Sequence, residues 1–469
     1  MPNPAKRGNC YEPPDQPDNA QMSKHSIDTV LHVRLKHEPG QLALLAAAIA
    51  HEDGLIGEIT TLAVGERDAT REVTIETHDD AHTARVIEAV RAVPGVELTR
   101  ITDAVFECHR GGKIHQVSSA PLQTVRDLRR IYTPGVARVA MAINRDANRA
   151  WDLTGIGNSV GIFTNGTRVL GLGNIGAVAS MPVMEGKAVI YEQLVGISAT
   201  PILVDTLDVQ SFIETVLRIA PTFAGIHLED IRAPDCFEIE DALREQLTKP
   251  VLHDDQHGTA TVALAAVINA AKLTKIDLRK ARVGHIGLGA AGSAIANLIG
   301  SYGVGQKLVT DSDQRALARV GREGVRRVNL ETLFREADIV IAATGKANLI
   351  PAKLIQKGQV VLALSNPEPE IQPRDALAAG AAFAADGRSI NNALAFPGLF
   401  KGAFLARARS IRPEMMIAAA EVIAASAAPG DLVPSPLDRA VHQRVAEAVR
   451  DKAIELGLEG TIDLGRRGG

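Results

Sequence analysis

The sequence predicts an α/β protein of several domains, and three observations carry that prediction. Two short apolar runs, GIHL at 225–228 and PVLH at 250–253, each end in adjacent carboxylates, Glu229–Asp230 and Asp254–Asp255. Buried strands that end on polar residues fit an open parallel sheet, whose strand ends face a ligand crevice. Residues 282–311 read as strand, glycine turn, helix and strand: RVGHI, GLGAAG, SAIANLIG, KLVTD. Residues 26–107 alternate strand and helix periods in the order βαββαβ, a ferredoxin-like split unit.

Composition bounds the rest. The chain has 469 residues, enough for two or three domains. Hydrophobic residues make up 46% and charged residues 23%, an ordinary globular balance, and a net charge of −4 advertises no nucleic-acid face. Cys10, Cys108 and Cys236 are too sparse for a disulfide frame or a zinc site. No apolar run reaches spanning length and no leader pattern opens the chain, so neither a membrane nor an export route is expected, and the cytoplasm is the expected compartment.

Residues 1–25, rich in Pro, Asn and Asp, are expected to form a disordered tail. In the 26–107 domain, IDTVLHVRL is a strand and HEPG a turn. QLALLAAAIAHEDG is a helix with Leu45 and Ile49 four apart. GLIGEITTLAV and TREVTIET are strands, and residues 79–93 form an amphipathic helix carrying Val86, Val90 and Val93. PGVELTRITDAVF is the last strand.

The second domain, 108–275, opens with a linker and the helix VRDLRRI. Pro134 disfavours helix at Thr133, which leaves Tyr132 at a helix end. The phenol is either a packing ring or a proton donor. An NGT turn at 165–167 is expected to join two short strands, and GLGNIG at 171–176 reads as a structural or substrate-facing loop. Lys187 lies among apolar neighbours, where a lysine either snorkels or has a lowered pKa suited to base chemistry. The four acids at 229–230 and 254–255 either cap helices and line solvated loops or gather on a hard divalent cation such as Mg²⁺ or Mn²⁺.

The third domain, 276–458, carries the dinucleotide pattern of a doubly wound, Rossmann-type sheet. Gly287 makes the tight turn, Gly289 lets a pyrophosphate approach and Gly292 lets helix and strand close up. The helix N-terminus then faces the phosphates. Asp311 stands where a carboxylate bonds a ribose 2′-hydroxyl and repels a 2′-phosphate, which favours NAD over NADP. Ser365 and Asn366 end another buried run, placed to face cofactor or substrate, and Asn391 and Asn392 follow in NNALAFPG. These asparagines either satisfy loop backbone or hold a bound acid. C-terminal helices interrupted at APGDLVPSPLD close the domain, and residues 459–469 are expected to fray.

From about Gly112 to Leu458 the motifs YTPGVA, GLGNIG…PVMEGKA, HLEDI, HDDQHGTA, GLGAAG, LSNPEPEI and NNALAFPG stand in this order, and the chain there resembles the bacterial-type malic enzymes. The resemblance implies NAD(P)⁺-linked oxidative decarboxylation of (S)-malate to pyruvate and CO₂ with Mg²⁺ or Mn²⁺. It implies metal ligation by Glu229, Asp230 and Asp255, a base at Lys187 coupled to Asp254, and an acid at Tyr132. It implies malate carboxylates held by Arg168, Asn366 and Asn392. To act as base, Lys187 is expected to rest neutral, its pKa pushed down by burial and a nearby cation. The PG turn and GLIGEI strand of residues 26–107 resemble an ACT domain, which implies edge-to-edge pairing, an even-numbered homo-oligomer and a small effector; a ligand-free packing module is the other reading. Two other readings are a malolactic-type enzyme releasing lactate with the same metal and NAD, and a non-catalytic binder of effector and nucleotide through the ACT-like and dinucleotide units, against which the intact Tyr132, Lys187 and carboxylates argue.

Overall fold

The computed structural model describes residues 27–169, 171–320 and 324–460, so the tail expected over 1–25, and residues 461–469 of the C-terminal one, lie outside the described residues. Two compact units divide at Gly112/Lys113.

The first unit runs β1 (Ile27–Lys36), α1 (Gln41–His51), β2 (Leu55–Val64), β3 (Asp68–Thr77), α2 (Asp80–Arg91), β4 (Val96–Asp103) and α3 (Ala104–His109). Its sheet is antiparallel in the order β2-β3-β1-β4, the ferredoxin-like arrangement. Alternate residues Leu31, Val33 and Leu35 of β1 meet Leu45 and Ile49 of α1 and Val86 and Val90 of α2 in one buried core. Strand period two and helix spacing four put both sets on inward faces. The last strand is shorter than its sequence suggests. The Asp103 carboxylate accepts from Phe106 N at 3.0 Å, and that cap turns Ala104–Phe106 into helix.

The second unit begins with α4 (Val125–Ile131), α5 (Val136–Arg145) and α6 (Ala150–Leu153). It continues through β5 (Ser159–Thr164), α7 (Met181–Val195), β6 (Ser198–Leu203), α8 (Val209–Ile219), β7 (Gly225–Leu228), α9 (Asp235–Gln246), β8 (Val251–His253) and α10 (Asp254–Thr274). Its first sheet is parallel in the order β6-β5-β7-β8. The expected hairpin at 165–167 gives way to a loop: among the described residues after β5 the pairing is a single antiparallel bridge, Val169 to Gly173. Gly166, at φ +66°, is why the segment bends: a Cβ there would sit 2.1 Å from the Gly176 carbonyl oxygen, so the loop folds onto itself.

The second sheet follows: β9 (Arg282–Ile286), α11 (Ala290–Tyr302), β10 (Gln306–Thr310), α12 (Gln314–Arg319), β11 (Val325–Arg327), α13 (Leu330–Glu336), β12 (Ile339–Ala342), β13 (Val360–Ala363), α14 (Pro373–Ala378) and β14 (Phe383–Asp386). Its parallel order β11-β10-β9-β12-β13-β14 reverses at β9, the doubly wound pattern with a crevice beside β9 and β12. Helices α15 (Phe396–Leu405), α16 (Pro413–Ala425) and α17 (Arg439–Glu455) complete the unit. The spine is α10, buried almost continuously from Ala260 to Ala271. Within that run Asn269 Nδ2 donates to the carbonyls of Ala424 (2.8 Å) and Leu432 (2.9 Å), tying α10 to the C-terminal segment. Among the described residues no helix is long and apolar enough to cross a membrane.

Candidate active site

Neighbouring strands β7 and β8, paired Leu228 to His253, deliver both acid pairs to one end of the parallel sheet. Glu229 and Asp230 are 3% exposed and Asp254 is fully buried. None of these acids caps its helix: α10 has no side-chain cap, and Asp255 instead accepts from Asp230 N at 3.0 Å. Asp230 sits at φ 54°, a left-handed conformation that aspartate tolerates better than most residues. Its carbonyl accepts from Arg168 N at 3.0 Å, which pins the loop after β5 against the cluster.

Lys187, on α7 and 8% exposed, reaches into this nest. Its ammonium donates to Asp254 Oδ2 and, at 3.3 Å, to Asn392 Oδ1; it lies 3.1 Å from Glu229 Oε1 and 4.5 Å from the Phe396 ring centre. The expectation of a neutral lysine rests on burial and a bound cation together, and the acids of the nest act against it. Burial alone lowers its pKa, but the Asp254 and Glu229 charges outweigh burial and hold the lysine protonated above its ordinary value. Burial, against the opposing Lys187 charge, pushes Glu229 up to about 7 and Asp254 up to about 6. Asp255 moves the other way: burial would raise it, but the His253 hydrogen bond and charge bring it below the usual range.

Three residues that sequence reasoning missed brace the acids. Tyr191 Oη donates to His227 Nδ1 (2.8 Å), and His227 Nε2 donates to Glu229 Oε2 (2.6 Å). Burial drops the His227 pKa to about 3, so the ring is neutral and both nitrogens are used. His253 Nε2 lies 3.2 Å from Asp255 Oδ2. The available signal was a histidine inside each apolar run, at 227 and 253, where a buried ring needs partners.

The nest fits a hard divalent cation. Oxygens of Glu229, Asp230 and Asp255 lie within 4.8 Å of one another, an all-oxygen donor set. Three carboxylates, Glu229, Asp254 and Asp255, act on one lysine, and Asp254 Oδ1 is buried without a hydrogen-bond partner. A second grouping, His227 with Glu229 and Asp254, fits less well because Tyr191 and Glu229 already occupy both ring nitrogens.

Asn392, half-buried, meets Lys187; Arg168 and Asn366 are exposed, the first on the loop pinned to Asp230 and the second at the end of β13. Tyr132 ends α4 with 66% of its surface exposed, and among the described residues no hydrogen bond or ion pair joins its phenol to the nest.

The glycine turn lies at the crevice of the second sheet. Gly287 has φ +85°, and a Cβ there would meet the Ala343 carbonyl oxygen at 2.7 Å. A Cβ on Gly292 would lie 2.0 Å from the Gly287 oxygen, whereas one on Gly289 would enter open space. Close packing at 287 and 292 with free approach at 289 is the division a pyrophosphate turn requires. Asp311, ending β10, accepts from Leu288 N (2.6 Å) and Asp313 N (2.7 Å) and so fixes the turn itself. Ser365 accepts from Gly345 N at 2.7 Å and donates to Glu370, knitting the loops after β12 and β13.

A dinucleotide crevice beside an oxygen-lined acidic nest with a buried lysine defines a dehydrogenase-type enzyme. The family description "Malic enzyme, N-terminal domain" matches residues 111–210 and 206–244, and "Malic enzyme, NAD binding domain" matches 327–454. Residues 254–356 also match the NAD binding domain of D-isomer specific 2-hydroxyacid dehydrogenases. NAD-dependent malic enzyme 1 of Bacillus subtilis (strain 168) is 49% identical over 92% of this chain and 99% of its own. The bifunctional malic/malolactic enzyme of the same organism is 40% identical over 74% of this chain and 91% of its own. The crystal structure of the NAD-dependent malic enzyme of Thermotoga maritima superposes with a TM-score of 0.70 at 37% identity, covering 74% of this chain and 99% of that one. The chain belongs to the malic enzyme family, among members similar to its NAD-dependent bacterial type.

Proposed function

We propose that the chain oxidatively decarboxylates (S)-malate to pyruvate and CO₂ with reduction of NAD⁺, in a reaction that requires Mg²⁺ or Mn²⁺. The observation that carries this reading is the convergence of Glu229, Asp230 and Asp255 within 4.8 Å, beside the Lys187–Asp254 pair. When bound, the cation supplies Lewis acidity toward the hydroxy acid and its decarboxylation, and NAD⁺ accepts the hydride. Lys187 and Asp254 act as one acid–base unit that takes the proton of the C2 hydroxyl. The Asp254 and Glu229 charges favour the ammonium; Lys187 can take the hydroxyl proton once it has passed its own to Asp254, a shift that a bound cation would favour. Arg168, Asn366 and Asn392 hold the substrate carboxylates, and Tyr132 is assigned the protonation of C3. Asp311 selects NAD over NADP.

The antiparallel first unit is read as an ACT-like regulatory domain that binds a small effector. Its edge strand β2 exposes Leu55, Ile59, Leu62 and Val64, an apolar edge suited to pairing with a second copy. An even-numbered homo-oligomer follows. A lactate-releasing reaction is the second reading; one relative carries the name bifunctional malic/malolactic enzyme. Product analysis separates the two. Malate, Mn²⁺ and NAD⁺ should give pyruvate and NADH in equal amounts; lactate without net NADH would overturn the proposal. Repeating the assay across amino acids and central metabolites tests the effector.

A further inference from the structure

A cavity of about 730 Å³ lies between α9, α11, the end of α12 and the start of α16. None of the residues placed in the acidic nest or on the glycine turn lines it. One side is apolar, with Phe237, Leu247, Ile411 and Met416. The other carries Arg244, Arg319 and Arg412.

The cations are in two states. Arg244 Nη2 lies 3.0 Å from Glu240 Oε1, and Glu240 also takes Gln256 at 2.8 Å and His257 at 2.9 Å, so that acid is saturated. Lys249, buried on the same wall, donates to the carbonyls of Ala220 and Phe223. Arg319 rests 4.4 Å from the Phe237 ring centre, and among the described residues no ion pair engages Arg319 or Arg412. Among the described residues the wall therefore holds three guanidinium groups, Arg244, Arg319 and Arg412, against two carboxylates, Glu240 and Asp241. An excess of guanidinium beside a concave apolar surface calls for an anion with a carbon body. A volume of this size is that of a site for a drug-sized molecule, far larger than a four-carbon diacid needs.

We propose that this cavity binds an organic phosphate of nucleoside monophosphate size. The phosphate sits between Arg319 and Arg412, and the ring system lies against the apolar side. Gln256 and His257 on the wall directly follow Asp255 on α10, so the occupant touches the helix that carries two acids of the nest. The site is independent of the malate reading.

The test is calorimetric titration of AMP into the full chain already saturated with NAD⁺, without metal, so that the dinucleotide crevice is filled. AMP should bind with a submillimolar Kd, and adenosine at least tenfold more weakly. The Arg319→Ala/Arg412→Ala variant should lose at least tenfold in AMP affinity while its Kd for NAD⁺ stays unchanged. Loss of AMP binding once NAD⁺ is present would assign the heat to the dinucleotide crevice and overturn the proposal. So would equal affinity for adenosine, or an unaltered variant. The first two comparisons use the unsubstituted chain and stand even where the double variant does not fold.

Discussion

Lys187 shows how far a residue's neighbours decide its chemistry. The local sequence EGKAVIYEQL signals only burial, and burial by itself lowers a lysine pKa. The reversal comes from Glu229 and Asp254, which lie 42 and 67 positions further on and which the fold alone brings near. The Tyr191–His227–Glu229 chain was hidden for the same reason: its hydrogen bonds join α7 to β7 across 36 positions. Replacing Tyr191 by Phe removes the donor to His227 Nδ1 and frees the ring that orients Glu229. Mn²⁺ affinity should fall by roughly 10- to 100-fold in calorimetry, the usual scale for an outer-shell partner, and an unchanged affinity would detach Tyr191 from the metal site. Glu240 gives the pH test. Burial raises its pKa, but His257 and Arg244 outweigh burial and hold it near 2, below its ordinary 4.5. A carboxylate depressed on folding stabilises above its unfolded pKa, and that stability is lost as pH falls from about 4.5 toward 2. Glu240→Gln should therefore cost on the order of 3 kcal/mol in urea melts at pH 7, and the penalty should shrink at pH 3.

At the scale of elements, the glycine turn was legible because each glycine answers a separate steric demand within six residues. The structure sorts those demands: Gly292 is pressed on the Gly287 oxygen, and Gly289 opens outward. Gly292→Val should therefore lower the melting temperature by several degrees, whereas Gly289→Val should leave it nearly unchanged and raise the NAD⁺ Kd at least about tenfold. Equal effects on melting would contradict that division. The acid pairs were legible because apolar runs announce strands and strand ends face the crevice. What the sequence concealed was local competition. Asp103 caps a helix where strand period continues, and the folded-back loop at Gly166 and Gly176 replaces the second strand of a hairpin.

For the whole molecule, helices α4 and α5 bury none of their residues. Val125, Leu128, Ile131, Val136 and Met141 are all at least 41% exposed, and Tyr132 lies among them. We propose that a second copy of the chain covers this apolar surface. Leu128→Asp combined with Val136→Asp should shift the chain toward monomer in light scattering and lower turnover; an unchanged assembly would place the contact elsewhere. Composition could not expose this surface, because its residues are ordinary helix formers and only the fold leaves them outside. The central claim is that Glu229, Asp230 and Asp255 share one cation. Anomalous diffraction from crystals soaked in Mn²⁺ tests it most directly. One peak within about 2.0–2.4 Å of an oxygen of each carboxylate is the predicted result. Three side chains pointing apart with no common peak would contradict the account.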